Sequence, residues 1–167
     1  MPESGVVYPH FAFTLLADMR ILVSYQGKEP PQAHEIDNYR QLLASLAEHA
    51  DIRCMWYTEG PRPSREQQER LRSTVPRHQW LVALVSPSPE MRFVACTFSL
   101  TNRNLRYFTP QELPQALRHL HCTLDEQTAV QATLAELRLA VHDPERLGHA
   151  AVGHEVPSIF RFRSHRP

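Results

Sequence analysis

The stretch YTEGPRPSREQ, residues 57–67, joins an extended segment to a helix and decides how the chain folds around it. The preceding residues 52–58, IRCMWYT, are largely apolar, which is typical of a short strand covered on both faces. Gly60 permits a sharp exit from that strand, and Ser64 can cap a helix whose Gln67 returns a bond to the cap. In parallel sheets, ligand sites gather where a strand end faces a helix start, and helix N-termini attract anions. The simpler interpretation of these residues is a capped turn that binds nothing.

Strand and helix patterns alternate around this junction, after an N-terminal pair of extended runs that predicts a hairpin. The segment Trp80–Ser86, WLVALVS, is apolar throughout and is therefore expected inside the sheet. Thr123 and Glu126 predict a capping box for the last helix. Such alternation implies parallel strands joined by right-handed crossovers. The predicted strands are 11–16, 20–26, 52–58, 80–86 and 105–109, and the predicted helices are 34–49, 64–74, 89–100, 110–120 and 123–142.

A chain of 167 residues is expected to form a single domain. Residues 1–9 are interpreted as a flexible lead-in, residues 10–142 as the domain, and residues 143–167 as an irregular tail. The last ten residues, SIFRFRSHRP, contain a short alternating core that could add an edge strand or bind a partner. A disordered tail is at least as good an interpretation of this segment.

Composition excludes several classes of partner. Eighteen basic and eighteen acidic residues balance, so there is no overall electrostatic case for binding nucleic acid or an anionic membrane. The longest apolar runs reach about eight residues, too short for a membrane span, so no membrane insertion is expected. Three widely spaced cysteines, without a CxxC motif or a signal peptide, favour a reducing, cytoplasmic location.

The sequence lacks the common motifs of catalysis and cofactor binding. Its five glycines form neither a dinucleotide-binding nor a phosphate-binding loop, and there is no nucleophile elbow or HExxH motif. His119 and His121 are two residues apart on a predicted helix and therefore point to different faces. Cys54 and Cys96 lie within a predicted strand and a predicted helix, where buried, inert thiols are usual. We therefore expect no catalytic residue, no metal and no cofactor.

Short motifs along the chain, taken in order, resemble those of one known family. They cover residues 11–121 and include a buried strand followed by Thr-acidic-Gly, a proline, a helix cap and a glutamine. The matching positions are Thr58, Glu59, Gly60, Pro63, Ser64, Gln67, Val85, Ser86, Arg92, Ser99, Asn102, Phe108, Pro110, Glu112, Leu113, Ala116, Leu117 and Leu120. The series resembles the SpoIIAA-like, or STAS-like, family, and looks most like small STAS/SEC14-type proteins common in myxobacteria.

This resemblance implies an α/β fold with a sheet of about five strands. The sheet would be mostly parallel after an N-terminal hairpin, with helices packed on it and an extra C-terminal helix. Proteins of this family mostly bind other proteins, and the better-known members are switched by phosphorylation at a strand end that opens onto a helix start. Thr58 and Ser64 are the nearest positions here. Gly60–Pro63 replaces the usual Asp-Ser-Ser/Gly-type sequence.

The favoured function is therefore a non-enzymatic, cytoplasmic, bacterial module for regulation or protein interaction, such as an anti-sigma-antagonist-like or scaffold protein. Its predicted partner surface comprises the helix that begins at Ser64, the loop before it and the turn around Ser86. Arg62, Arg65 and Arg92 would supply contacts there, since arginine is enriched at interfaces. The partner is another protein, and a homo-oligomer is also compatible with the sequence.

Two other functions are compatible with the sequence. The first is a binding module for a lipid or small apolar ligand, with a pocket between the hairpin and the helices. The aromatic residues that would line that pocket, and that would otherwise form plain core, are Phe11, Phe13, Trp56, Phe93 and Phe98. The second is a small hydrolase, which would require a histidine within hydrogen-bond reach of Cys54 or Ser86.

Overall fold

A computed structural model describes residues 5–49, 51–62, 64–74 and 80–143. Within these ranges the chain forms one six-stranded mixed sheet with helices on both faces. The strands are β1 Val6–Val7, β2 Phe11–Leu16, β3 Ile21–Gln26, β4 Arg53–Thr58, β5 Leu81–Val85 and β6 Leu105–Phe108. The helices are α1 Ala33–Ser45, α2 Arg65–Thr74, α3 Pro89–Ser99, α4 Leu113–His119 and α5 Leu124–His142, with 3-10 turns at Ala17–Met19 and Pro110–Glu112. No helix of this part of the chain combines the length and the hydropathy that a membrane span requires.

The strands lie in the sheet in the order in which they occur along the chain. The first three pair antiparallel, which confirms the predicted hairpin, and β3, β4, β5 and β6 pair parallel, which confirms the predicted alternation. The hairpin closes through Arg20, whose φ of 54° is left-handed and whose N–H donates to the Ala17 carbonyl. As predicted, β5 lies inside the sheet, between β4 and β6.

The handedness of the crossovers explains which helices share a face. Each parallel connection moves one strand further in the same direction, so right-handed crossovers place their helices on one side of the sheet. That layer contains α1 and α3, packed on side chains such as Leu22, Trp56 and Leu84. The opposite layer contains α4 and α5, packed on alternate residues such as Val23 and Met55. Because both faces are covered, these strands are apolar nearly throughout.

The structure differs from the sequence-based predictions at several places. Val6 and Val7 pair with β2, so the sheet has six strands rather than about five, and part of the expected lead-in belongs to the domain. The helix α1 ends at Ser45, and hydrogen-bonded turns occupy the remaining residues up to 49. On α3, Cys96 is exposed rather than buried, because the residues that face the sheet are Met91, Val94, Ala95 and Phe98. Of the predicted tail 143–167, every residue after Asp143 lies outside the described residues.

Candidate functional site

The quoted junction lies at the edge of the sheet where the parallel strands end. Thr58, the last residue of β4, is fully buried, and its hydroxyl accepts a hydrogen bond from the Gly60 N–H at 3.2 Å. The Glu59 N–H donates to the carbonyl of Gln26 at the end of β3, at 3.0 Å. Local hydrogen bonds therefore join the ends of the two strands. Because the Thr58 side chain is fully buried there, it cannot contact a partner protein.

Glycine at position 60 allows the two strand ends to approach each other. A Cβ atom at Gly60 would lie 2.5 Å from the Gly27 carbonyl oxygen and 2.6 Å from Gln26 Nε2. Gln26 is buried, and its amide donates to the Pro61 carbonyl at 3.4 Å. The space between the ends of β3 and β4 is thus filled by backbone and by a buried amide.

Ser64 caps α2 through the reciprocal bonds that the sequence predicts. The Gln67 N–H donates to Ser64 Oγ at 3.2 Å, and the Ser64 N–H donates to Gln67 Oε1 at 2.9 Å. Gln67 Nε2 also donates to the Pro31 carbonyl at 3.2 Å, which ties α2 to the loop before α1. Ser64 itself is exposed, as are Arg62 and Arg65 on either side of it.

The neighbouring turn after β5 is closed in a similar way. Ser86 is fully buried, and its Oγ accepts a hydrogen bond from the Ser88 N–H at 3.1 Å. The Tyr107 hydroxyl donates to the Ser86 carbonyl at 2.7 Å. Arg92, in the first turns of α3, is exposed and lines a surface cleft with Tyr107 and Glu112. Of the six predicted partner-binding or regulatory candidates, the exposed ones are Arg62, Ser64, Arg65 and Arg92, and the buried ones are Thr58 and Ser86.

A polar cluster on the opposite face of the sheet was not predicted. Glu59, directly after β4, pairs with Arg138 of α5 at 2.9 Å and lies 3.7 Å from Nε2 of His142. The hydroxyl of Tyr25 in β3 lies 2.7 Å from the same Nε2 atom. Burial, and then the Glu59 carboxylate, raise the pKa of Tyr25, so this phenol remains protonated and is not an activated nucleophile. The cluster fastens the last turn of α5 to the ends of β3 and β4.

The sequence contains a weak signal for this cluster. Arg138 and His142 are four residues apart and therefore share one side of α5, next to the inward-facing Leu137 and Val141. Their carboxylate partner, Glu59, is far away in the sequence, so no local pattern pairs them.

The candidate nucleophiles for a hydrolase are unsuited to that role. Cys54 is buried, and burial raises the pKa of its thiol to about 11, so it stays protonated near neutral pH. Its hydroxyl neighbour is Tyr39, at 3.7 Å. The hydroxyl of Ser86 is bonded to the backbone of its own turn.

Where the ligand pocket was predicted, the described residues enclose a small apolar cavity of about 40 Å³ between the sheet and α1 and α3. Trp56 and Phe98 line it, as predicted, together with Trp80. The predicted lining residues Phe11 and Phe13 instead pack against the ring of Tyr39, with centroids 5.0 and 5.2 Å apart. Phe93 is 72% exposed on the outer side of α3. The cavity is well below the roughly 150 Å³ that holds benzene in an engineered core, so it is too small for a lipid chain.

In the described ranges, no group of three or more His, Cys, Asp or Glu side chains could hold a metal ion. Comparison with known proteins returns no family model, no curated protein and no solved structure that matches this chain. Its function therefore has to be inferred from the geometry of the sheet edge described above.

Proposed function

We propose that this protein is a non-enzymatic interaction module of STAS-like fold, acting in the cytoplasm as a regulatory or scaffold protein. Its protein partner would dock at the edge where the parallel strands end. One observation carries the proposal: the strand order never reverses from β3 to β6. Ligand crevices in open α/β sheets form where the order reverses, so this edge has no such crevice.

The packing of this edge supports the same function. Between β3 and β4 the space is filled by the Gly27 backbone and the Gln26 amide, and the hydroxyls of Thr58 and Ser86 are bonded within their own turns. An edge closed in this way leaves little room for a small substrate. It does present an outer surface that a protein can touch.

The exposed side chains of this surface indicate the chemistry of the partner. Arg62 and Arg65 flank the N-terminus of α2, where the helix dipole adds partial positive charge, and Arg92 lies near the start of α3. The guanidinium group binds carboxylates in a planar, bidentate geometry. We therefore expect the partner to present acidic side chains to this edge.

Phosphorylation, if it regulates this edge, would act at Ser64 rather than Thr58. Ser64 is exposed, whereas Thr58 is fully buried in the folded chain. A phosphate on Ser64 would lie at the N-terminus of α2, which is electrostatically favourable, and its oxygens could still accept from the Gln67 N–H.

Affinity purification of the native full chain, followed by mass spectrometry of bound proteins and phosphosites, tests the proposal. The variant in which Arg62, Arg65 and Arg92 are replaced by alanine should lose the partners that the wild type recovers. A control variant replaces three exposed arginines outside this edge by alanine, namely Arg103, Arg106 and Arg118. It should retain those partners. Recovery of the same proteins with all three chains, or of none with the wild type, would contradict the proposal.

A further inference from the structure

The open side of β6, the last strand in the sheet order, carries backbone groups that no described strand pairs with. The Ser86 N–H in β5's following turn donates to the Phe108 carbonyl at 3.0 Å. Because the backbone groups of successive strand residues point to opposite sides, those of Leu105 and Tyr107 point away from β5. The Leu105 N–H donates to the Asn102 carbonyl. Within the described ranges, no hydrogen bond reaches the Leu105 carbonyl or the N–H and carbonyl of Tyr107.

A groove of about 480 Å³ runs along this open side, between β6 and one face of α3. The helix face has the spacing i, i+3, i+4 and i+7 and consists of Arg92, Ala95, Cys96 and Ser99. Leu105 and Tyr107 direct their side chains to this layer, whereas Arg106 directs its own to the α4 layer. Thr109 and Glu112 line the end of the groove that follows β6. This space, the β6 groove, is thus bordered by free backbone groups on one side and by a helix on the other.

The free groups of β6 indicate which kind of molecule fits the groove. An extended polypeptide presents N–H and carbonyl groups at the spacing of a strand, and its addition to an open strand is a recurrent mode of peptide recognition. Tyr107 has both a free N–H and a free carbonyl, so one residue of an antiparallel segment can exchange two hydrogen bonds with it. The side chain of that residue would lie on the same face of the sheet as Tyr107, which is the groove side.

One charge in the groove indicates the side chain that the segment carries opposite Tyr107. Arg92 lies near the Tyr107 phenol, and it forms no hydrogen bond or ion pair with the residues that the structure describes. The carboxylate of Glu112 is held instead by the N–H and the hydroxyl of Thr109, at 2.9 and 3.0 Å. These bonds, more than the charge of Arg92, lower the pKa of Glu112. The guanidinium group of Arg92 is therefore available to a carboxylate of the added segment, which it can bind in a bidentate geometry.

We propose that the β6 groove binds an acidic peptide segment of another protein, added to β6 as an antiparallel strand. The segment carries Asp or Glu opposite Tyr107 and, two residues later, an apolar side chain opposite Leu105, beside Ala95 and Cys96. This inference rests on the proposed function and deepens it, because it names the conformation and the chemistry of the segment by which the acidic partner is held. Since β6 offers only three free backbone groups, a short peptide is expected to bind with a Kd on the order of 0.1–1 mM.

NMR titration of the isotope-labelled full chain tests the groove, with the acetylated and amidated peptide Ser-Thr-Glu-Thr-Val-Thr-Ser as the probe. Up to about 5 mM of this Glu peptide should shift the amide resonances of Arg92, Leu105 and Tyr107 saturably. At saturation the Tyr107 amide should exchange with solvent at least about threefold more slowly, because it donates to the peptide. No saturable shift at these amides would overturn the proposal. So would a Tyr107 amide that is already protected in the free chain, because the chain would then cover its own strand.

N-methylated peptides separate strand pairing from simple charge attraction. A methyl group on the Glu nitrogen removes the N–H that the peptide donates to Tyr107, and it should raise the Kd at least about tenfold. The same group on the Thr that follows Glu should leave the Kd within about twofold, because that N–H points away from β6. An equal loss of affinity with both peptides would contradict the strand pairing.

A charge exchange tests the role of Arg92. Arg92→Glu should weaken binding of the Glu peptide at least about threefold, and it should bind the peptide with Lys in place of Glu more tightly than the wild type does. Glu112→Gln should strengthen binding of the Glu peptide, because it removes a like charge from the groove. Arg118→Glu, at an exposed position of α4 outside the groove, is the control and should bind both peptides like the wild type. Equal affinities of the Arg92→Glu and Arg118→Glu variants for the Glu peptide would refute the assignment of its carboxylate.

Competition distinguishes failure of this inference from failure of the proposed function. Proteins recovered with the wild-type chain should be released by the Glu peptide and not by the Lys peptide. Proteins that are lost when Arg62, Arg65 and Arg92 are replaced by alanine, but that the Glu peptide does not release, would support the interaction module and overturn strand addition. Saturable, groove-specific peptide binding by a chain that recovers no protein would support the peptide site and contradict the proposed function.

Discussion

Replacement of Glu126 by glutamine should destabilise the protein in a pH-dependent way. Arg53, at the start of β4, donates to both carboxylate oxygens of Glu126 in the first turn of α5, at 2.6 and 3.0 Å. The same guanidinium donates to the carbonyls of Met19, before β3, and Leu120, after α4. Each partner of the ion pair is only 17% exposed. The pair therefore joins α5, β4 and the hairpin at the end of the sheet opposite to the proposed partner surface.

The pKa of Glu126 sets the size and the direction of the effect. The hydrogen bonds from Arg53 are the main cause that lowers this pKa from 4.5 to about 2. Each pKa unit corresponds to about 1.4 kcal/mol, so the full shift would contribute about 3 kcal/mol. Because the pair is partly open to solvent, screening should reduce the measured loss to about 1–2 kcal/mol. Since the folded pKa is the lower one, this stabilisation is complete above about pH 5 and decreases as the pH falls from 4.5 through 2.

Urea unfolding followed by tryptophan fluorescence, at pH 7 and pH 3, measures this loss. Glu126→Gln keeps the shape of the side chain and its place in the capping box with Thr123, and it removes the charge together with one of the two acceptors for Arg53. Glu136→Gln, at an exposed position of the same helix, is the control. The excess cost of Glu126→Gln over the control should fall to about one fifth or less of its pH 7 value at pH 3. An excess cost of zero at pH 7, or the same cost at both values, would refute the reasoning.

Three further predictions concern the strand edge and its cluster. Gly60→Ala should lower the free energy of unfolding, measured by urea titration, by about 1–3 kcal/mol, because the added Cβ would overlap the end of β3. Gly5→Ala is the control and should cost far less, because its Cβ would meet nothing closer than 3.5 Å. Ser64→Ala should cost about 1 kcal/mol in the same assay, and Ser64→Asp should retain the cap; equal losses would contradict the capping role. Tyr25→Phe should lower the free energy of unfolding by about 1 kcal/mol, because it removes the hydrogen bond to His142. Tyr57→Phe, which changes the ring stacked on Tyr25, should not lower it, so identical melting curves for the two variants would contradict this prediction.

Local patterns predicted the features that depend on nearby residues. The Ser64–Gln67 and Thr123–Glu126 boxes each join positions three apart, so the sequence contains both partners within one turn. Local patterns also predicted the ends of β2, β4 and β6, and the structure places each of them within one residue of its predicted position. The exposure of Phe93 and Cys96 was missed because α3 carries apolar residues on more than the face that packs on the sheet.

The sequence by itself determined the order of strands and helices, the hairpin and the caps, because each depends on spacing within a few residues. The parallel pairing followed from the alternation of strands and helices along the chain. Only the tertiary structure decided which polar side chains meet. Glu59, Arg138 and His142 come together because consecutive parallel crossovers carry the chain to β6, and α4 and α5 then return across the other face of the sheet. Packing of the whole core sets where α4 and α5 lie on the sheet, so no local sequence pattern predicts their position. The burial of Thr58 and Ser86 was decided in the same way, by strands that lie far apart in the sequence.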